Sequence, residues 1–195
     1  MSHRKPLIVG LGGTTRPGSS SEQALALALG HAREAGAEVR MFGGKDLVLP
    51  LYDPEPGNLT DAAEELLIAL RRADGIILSS PCYHGAVSGL FKNAIDYTEE
   101  MRGDARAYFD GRSVGCIGCG YGYQGPGMVL AQLRSITHAL RGWPVPLGVA
   151  VNSAVIKFEN GKCSDAGIGK QIEIMAGQVV EFANHQIRAA HPMHA

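Results

Sequence analysis

The chain has 195 residues, 45% of them hydrophobic, and this length suffices for one domain with a substantial core. Its 18 lysine and arginine residues nearly balance its 19 aspartate and glutamate residues, which excludes a nucleic-acid or membrane partner held by bulk charge alone. No apolar run approaches the roughly 20 residues that span a bilayer, and the first residues lack a cleavable-leader pattern, so we expect a cytoplasmic protein without a membrane partner.

Short apolar runs alternate with amphipathic segments along the chain. The predicted strands are 7–11, 38–42, 75–79, 113–118 and 147–151, and the predicted helices are 20–35, 60–72, 86–100, 128–141 and 169–187. The strands are rich in Val, Ile and Leu, which is typical of sheets covered on both faces. Strict alternation of five strands and five helices predicts a single α/β domain over residues 1–195. We expect a doubly wound parallel sheet with the flavodoxin-like strand order 2-1-3-4-5 and helices on both faces.

The four cysteines are too few and too scattered for a disulfide framework, and they suit a reducing compartment. Cys116 and Cys119 have the C-x-x-C spacing of redox motifs. Cys116 lies in the predicted strand 113–118 and Cys119 directly follows it, and the alternation of the strand directs the two to opposite faces of the sheet, so we interpret the pair as structural. No pair among the seven histidines has a convincing metal-ligand spacing, and no metal site is predicted.

The loop after the first strand is rich in glycine and hydroxyl groups and leads directly into a helix. The predicted ligand-binding residues here are Thr14, Arg16, Ser19, Ser20 and Ser21. Hydroxyls, a planar guanidinium and a helix N-terminus together favour an anion. The loop lacks the Walker A lysine and the third glycine of a dinucleotide fingerprint, so it suits a single terminal phosphate. The alternative is a serine-rich helix cap with no ligand.

Two further loops follow the third and fourth predicted strands, at the same edge of the sheet. Ligands bind open α/β sheets at this carboxyl edge. A turn at Pro81 is expected to open the helix that starts at residue 86. The predicted binding residues in these loops are Pro81, Cys82, Tyr83, His84, Gly85, Gly120, Tyr121 and Gly122. Their backbone amides and the face of Tyr83 suit a flat polar ring, and a ring together with a phosphate indicates FMN.

The chain resembles the NADPH-dependent FMN reductase family over nearly its whole length. The first loop of that family reads G-S-x-R-x-x-S-x-N, and here Gly13, Thr14, Arg16, Ser19 and Ser21 occupy those places. Its second loop reads P-E-Y-x-G-x-x-x-G-x-x-K-N-x-[IL]-D, and here Pro81, Tyr83, Gly85, Gly89, Lys92, Asn93, Ile95 and Asp96 match. Residues 49–52, Leu-Pro-Leu-Tyr, resemble a further family segment. The departure is Cys82, where the family commonly has glutamate.

The resemblance implies an FMN-dependent oxidoreductase that takes hydride from NADPH (or NADH) and passes it to free flavin, a quinone or a similar small-molecule acceptor. A flavin-dependent monooxygenase is a further implied partner. No catalytic side chain is predicted, because the flavin carries the chemistry. Arg16 and Arg112 are candidate contacts for the 2′-phosphate of NADPH. The family commonly forms homodimers or homotetramers, and segments 43–58 and 101–112 are candidates for closing a neighbour's site.

For several residues a purely structural role is an alternative, and for the whole chain two other functions are alternatives. His84 either contacts the flavin or substrate or faces solvent, and Lys92 and Asp96 either serve the site or pair with each other. Ser88 and Asn93 are expected to serve helix packing or subunit contacts. The alternative function is a flavodoxin-type electron carrier without NADPH activity, against which the near-neutral charge argues. A flavin-binding regulatory protein is a third alternative.

Overall fold

A computed structural model describes residues 4–55, 57–159 and 161–190 of the chain. Strands and helices alternate through it. The strands are β1 (Leu7–Gly12), β2 (Glu38–Gly43), β3 (Gly75–Tyr83), β4 (Ala86–Val87), β5 (Ser113–Gly120), β6 (Trp143–Pro144), β7 (Val149–Asn152), β8 (Phe158–Glu159) and β9 (Lys162–Cys163). The helices are α1 (Ser20–Glu34), α2 (Asp61–Arg72), α3 (Gly89–Asp96), α4 (Gln124–Ala139) and α5 (Ala166–Ala190). Two 3-10 turns, Gly44–Leu47 and Tyr97–Met101, follow β2 and α3.

The central sheet is parallel and has the order β2-β1-β3-β5, with β6 and β7 both paired to β5 at the far edge. The predicted order of the five main strands is confirmed. The edge strand that was predicted to begin at residue 147 begins at Val149 in the structure, as β7. The short strand β6, which precedes it, pairs with the start of β5. Gly12 at the end of β1 pairs with Gly43 at the end of β2 on one side and with Ser79 of β3 on the other. β3 continues four residues beyond this level, and its Pro81 pairs with Cys119 near the end of β5.

Apolar side chains cover both faces of the sheet and form two cores. One core includes Leu11, Leu78 and Cys116, and the other includes Ile8, Ile77 and Cys119. The two cysteines of the C-x-x-C spacing therefore lie on opposite faces, as predicted. Burial raises the pKa of Cys116 to about 11 and that of Cys119 to about 12. Both groups remain thiols at neutral pH, which supports a structural role.

Hydroxyl side chains begin three of the helices. Ser19, Thr60 and Ser88 each accept a hydrogen bond from a backbone amide three residues further on. Such caps satisfy amides that have no partner within the helix, and each contributes about 1 kcal/mol. Ser88, expected in helix packing or subunit contacts, is thus the N-cap of α3.

The prediction that a helix begins at residue 86 is wrong. β3 continues past Pro81 to Tyr83 and then pairs antiparallel with Ala86 and Val87. The connection is a two-residue turn with positive φ angles, 53° at His84 and 83° at Gly85. Positive φ at both central residues defines the type I′ turn, whose twist matches that of a hairpin. The helix starts only after this hairpin.

Helix α4 begins at Gln124, four residues before the prediction, and includes Pro126 in its first turn. Proline is tolerated there because the first amides of a helix have no intrahelical partner. Gly118 of β5 lets this turn approach the sheet, since a Cβ atom at Gly118 would lie 2.3 Å from the carbonyl oxygen of Pro126. Helix α5 likewise starts three residues before the prediction, at Ala166.

Candidate functional site

A cavity of about 210 Å³ lies at the carboxyl edge of the sheet, where the loops after β1, β3 and β5 meet. Its lining residues are Thr14, Arg16, Ser19, Ser20, Ser21, Pro81, Cys82, Tyr83, Cys119, Gly120, Tyr121 and Ser153. The structure thus brings together most of the predicted site residues. His84, Gly85 and Gly122 do not line the cavity. Cys119 and Ser153 do, and sequence reasoning did not single them out as site residues.

The first loop presents hydroxyls, the N-terminus of α1 and one guanidinium. Thr14 Oγ1 accepts a hydrogen bond from the amide of Arg16 at 3.1 Å, which folds the loop back on itself. Ser19 caps the helix, and its hydroxyl lies 3.4 Å from that of Ser21. Both serines are almost fully buried. A helix N-terminus lined with hydroxyls suits an anion.

The charges of this loop face in different directions. Arg16 is exposed, and its side chain makes no ion pair within the described residues. Glu22 does not line the cavity; it accepts a hydrogen bond from the amide of Gly18 at 2.8 Å and packs beside Gly44. The carboxylate therefore braces the loop from outside, while the guanidinium is available to an anion.

The second loop is the β3–β4 hairpin, which is fixed by side chains from two elements. Ser80 Oγ accepts a hydrogen bond from the amide of Ser88 at 3.1 Å and donates one to the carbonyl of Pro81 at 2.9 Å. From α4, the side chain of Gln132 binds the carbonyl of Gly85 in the turn and the amide of Val87 in β4. Tyr83, just before the turn, is 53% exposed and presents a ring at the cavity rim.

The third loop follows β5 and is held by the last residue of β7 and the residue after it. The side-chain oxygen of Asn152 accepts hydrogen bonds from the amides of Gly122 at 3.0 Å and Ala154 at 3.1 Å. The amide of Ser153 donates to the carbonyl of Gly120 at 2.9 Å. Asn152 is buried, so these bonds fix the conformation of the loop from beneath. This explains why residues after β7 enter the site.

Cys82 joins the second loop to the third. A Cβ atom at Gly120 would lie 2.9 Å from Cys82 Cβ, and one at Gly125 would lie 2.9 Å from Cys82 Sγ. Glycine at both positions therefore leaves the space that the thiol occupies. Cys82 replaces the glutamate that is common in the family, and here its side chain packs between the two loops.

Four further residues of the sequence prediction also lie outside the cavity. Arg112 is buried at the start of β5, on the opposite edge of the sheet, so the prediction that it contacts a 2′-phosphate is wrong. Lys92 pairs with Asp96, which confirms the structural interpretation of these two residues. Asn93 donates to the carbonyls of Leu49 and Pro50 and accepts from the amide of Tyr52.

Three larger cavities lie elsewhere in the described part of the molecule. One, of about 470 Å³, has several carboxylates near Tyr52 in its lining, and one, of about 540 Å³, is a largely apolar groove between Trp143 and Phe182. The third, of about 490 Å³, lies between the loop after β5 and the start of α5, and its lining has no cationic side chain. None of the three combines an arginine with serine or threonine hydroxyls. Among the described residues, no group of three histidine, cysteine or carboxylate side chains is placed to hold a metal ion.

The cavity fits one end of a flavin mononucleotide. Its hydroxyls, helix N-terminus and guanidinium match a phosphate in charge and donor type. A volume of about 210 Å³ is below the roughly 300 Å³ at which cavities enclose a drug-sized ligand, so the rest of such a molecule has to lie at the open rim. Tyr83 and Tyr121, which is 82% exposed, form that rim. In the described part of the chain, no helix is both long and apolar enough to cross a membrane.

Comparison with known proteins gives a consistent assignment. The family model for NADPH-dependent FMN reductase matches residues 6–155. An FMN-dependent NADPH-azoreductase of Staphylococcus aureus (strain USA300) is 32% identical over 139 residues, which cover 70% of this chain and 68% of that protein. The residues that the family model matches include all three loops of the cavity.

Solved structures confirm the flavodoxin-like fold. An oxidoreductase from Corynebacterium diphtheriae has a TM-score of 0.70 at 20% identity, with 94% of this chain and 99% of that chain covered. A flavodoxin, WrbA-like protein from Agrobacterium tumefaciens has a TM-score of 0.62 at 17% identity, with 93% and 99% covered. With the fold, the anion-binding loop and the family match in agreement, the chain belongs to the NADPH-dependent FMN reductase family, as its motifs predicted, and is an oxidoreductase that uses FMN and NAD(P)H.

Proposed function

We propose that FMN binds in the cavity between the three loops and that the enzyme passes hydride from NAD(P)H to a planar aromatic or quinoid acceptor. The observation that carries this proposal is the order of groups around one cavity. Hydroxyls and Arg16 lie at the first loop, and Tyr83 and Tyr121 lie at the other two. This order suits a molecule with a phosphate at one end and a flat ring at the other.

The first loop would hold the phosphate by hydrogen bonds and charge. The hydroxyls of Ser19 and Ser21 are already oriented by the helix cap, so little side-chain freedom is lost on binding. Arg16 adds a charge-assisted contact, which is roughly twice as strong as a neutral hydrogen bond. The affinity for FMN should therefore depend on its phosphate group. Riboflavin, which lacks the phosphate, should bind more weakly than FMN.

The second and third loops would hold the ring. FMN, when bound, supplies the hydride-transfer chemistry, so the protein needs no acid or base side chain. The predicted ring contacts are the backbone amides of Tyr83, His84 and Gly85 and of residues 120–122. Amides held in fixed positions stabilise negative charge without reorganisation, which favours the reduced ring.

The acceptor is proposed from the exposed rings at the rim. Tyr83 and Tyr121 line the cavity, and Tyr123, which is 83% exposed, follows in the same loop. Exposed aromatic faces suit stacking with planar molecules. Free flavin, quinones and azo compounds are planar and accept two electrons. The relative from Staphylococcus aureus is named as an azoreductase, which supports this class of acceptor.

The first experiment is a visible spectrum of the purified protein, followed by NADPH and NADH oxidation with FMN, a quinone and an azo dye as acceptors. We expect flavin absorbance after addition of FMN and turnover with at least one acceptor. A protein that binds flavin and oxidises neither nucleotide with any acceptor would be an electron carrier or a regulatory protein. Release of reduced FMN, measured by dialysis, separates supply of a monooxygenase from direct reduction of an acceptor.

The location of FMN is tested separately, with Arg16→Glu. We expect this variant to weaken FMN binding more than tenfold, because a carboxylate would replace the cation that faces the phosphate. Arg33→Glu is the matched control, since Arg33 is an exposed arginine near the far end of α1. Equal FMN affinity in both variants would place the phosphate elsewhere.

The assembly and the cellular location remain proposals. We infer a homodimer or homotetramer from the family resemblance and from segment 43–58, in which Leu51 is 86% exposed. Residues 49–52 are held by Asn93 in α3, so this exposed leucine lies on an ordered surface. A reducing cytoplasm is consistent with the four free cysteines of the chain.

A further inference from the structure

Gln132, in the middle of α4, binds the β3–β4 turn and the β4 strand that follows it through its side chain. Its Nε2 atom donates a hydrogen bond to the carbonyl of Gly85 at 2.8 Å, and its Oε1 atom accepts one from the amide of Val87 at 3.1 Å. The side chain is half-buried and does not line the cavity. Gln132 therefore acts on the turn and not on the cavity directly.

The turn needs such support. β4 has only two residues, and its pairing with β3 consists of Cys82 with Val87 and Tyr83 with Ala86. A hairpin this short is marginal alone. His84 also has a φ of 53°, a left-handed conformation that is unfavourable for a residue with a side chain. A bond from a separate helix holds the turn in this conformation.

Helix α4 also carries the other contact between the loops. Gly125 in its first turn packs against Cys82 Sγ, and the third loop leads directly into it. Gln132 and Gly125 therefore join the β3–β4 hairpin to the helix at two points. The positions of the second and third loops are coupled through α4.

We propose that Gln132 is a positioning residue, which orients the His84–Gly85 turn so that its backbone amides face the flavin ring. The inference rests on the proposed location of FMN. Without Gln132, the hydrogen bond from α4 to the carbonyl of Gly85 is lost. The amides of the turn are then no longer held in a fixed direction. Preorganised donors stabilise charge on a ligand because they do not have to reorient when the charge appears.

The experiment compares Gln132→Met with wild type and with Gln178→Met. Methionine is close to glutamine in shape and removes both hydrogen bonds. Gln178 in α5 is the matched control, because its side-chain oxygen accepts a bond from the amide of Leu147 at 3.1 Å, remote from the three loops. The measurements are the FMN dissociation constant, the FMN midpoint potential, the melting temperature without FMN and hydrogen exchange at the Val87 amide.

We expect Gln132→Met to weaken FMN binding roughly five- to twentyfold, because FMN binding would have to order the turn that the two hydrogen bonds of Gln132 hold in the wild type. The midpoint potential should become more negative, because the reduced ring loses stabilising donors. Exchange at Val87 should accelerate. Gln178→Met should lower the melting temperature by a similar amount and leave affinity and potential unchanged. Gln132→Glu keeps an acceptor for Val87 and places a carboxylate against the Gly85 carbonyl, so it should weaken binding as well.

Two outcomes overturn the proposal. If Gln132→Met has the FMN affinity and potential of wild type, or changes them no more than Gln178→Met does, Gln132 is only structural. If Arg16→Glu also leaves FMN binding intact, the proposed location of FMN fails, and the role of Gln132 fails with it. Loss of affinity in Arg16→Glu with no effect in Gln132→Met separates the two failures.

Discussion

At the scale of single residues, Cys82 departs from the family motif and packs against two glycines of the third loop and helix α4. Its thiol occupies the space above Gly125, and its Cβ atom lies against Gly120. A side chain at either glycine would collide with it. The packing of Cys82 therefore gives a reason for glycine at both positions. The sequence alone does not indicate this contact.

This packing predicts opposite effects of one substitution in two backgrounds. Gly125→Ala should destabilise the wild type by about 1–2 kcal/mol, because its Cβ atom would overlap Cys82 Sγ. In the Cys82→Ala background the same change should stabilise by up to about 0.5 kcal/mol, since alanine is the better helix former. Urea denaturation measures the four free energies of unfolding.

Gly127→Ala is the control for that cycle. Gly127 lies in the same helix, and a Cβ atom there would meet no atom within 4 Å. It should stabilise both backgrounds equally. If Gly125→Ala behaves like Gly127→Ala in the wild type, the thiol does not occupy the space described.

Arg112 is a second residue whose role only the structure reveals. Its guanidinium is 1% exposed and donates to the carbonyls of Ala73 at 3.1 Å, Tyr108 at 2.8 Å and Arg71 at 2.9 Å. Burial lowers its pKa to about 10, so it stays charged at neutral pH. The cation lies at the C-terminal end of α2, where the helix dipole favours it.

We expect Arg112→Met to reduce the free energy of unfolding by roughly 2–4 kcal/mol, because several buried carbonyls would lose their donor. The ratio of the KM values for NADPH and NADH should not change, since the residue lies on the edge opposite the cavity. Arg33→Met, at an exposed position, should stay within about 0.5 kcal/mol of wild type. A selective rise in the KM for NADPH would return Arg112 to the nucleotide site.

At the scale of elements, the hairpin shows where prediction from the sequence stops. The five main strands and the helix faces follow from apolar periodicity, which is local. The two-residue strand of Ala86 and Val87 does not, because its conformation depends on Gln132, 45 residues further along the chain. The local signal for it was His84-Gly85, a pair able to adopt positive φ, followed by the capping hydroxyl of Ser88.

The turn predicts opposite effects of two neighbouring substitutions. Gly85→Ala should destabilise by about 1–2 kcal/mol, because φ is 83° there and a Cβ atom would lie 3.3 Å from Met128 Cε. His84→Asn should stabilise by a few tenths of a kcal/mol, because Asn-Gly is the preferred pair for a type I′ turn. Thermal denaturation without FMN measures both. Equal effects of the two changes would show that the turn is not type I′ in solution.

At the scale of the whole molecule, the site is a consequence of sheet order. Loops distant in sequence meet because β1, β3 and β5 are neighbours in a parallel sheet, so the loops that follow them leave from the same edge. The place of the first-loop hydroxyls at the cavity was predictable from the sequence, because the residues that cap a helix are next to those that can bind an anion at its N-terminus. Ser153 and Cys119 were not, because their place at the cavity depends on how β5 and β7 end.

An exposed leucine on an ordered part of the surface supports the proposed assembly of several copies of the chain. Leu51 is 86% exposed, yet its neighbours are fixed: Asn93 and Tyr97 both donate to the carbonyl of Pro50. Burial of a leucine side chain stabilises an interface by roughly 1.5–3 kcal/mol, and a dimer would bury two.

We expect wild type to sediment as a dimer or tetramer and Leu51→Glu to shift it toward the monomer at equal concentration. Ile174→Glu, at another exposed apolar residue, should leave the assembly unchanged. A monomeric wild type at micromolar concentration would contradict the proposed assembly, and a dimer insensitive to Leu51→Glu would place its interface on another surface.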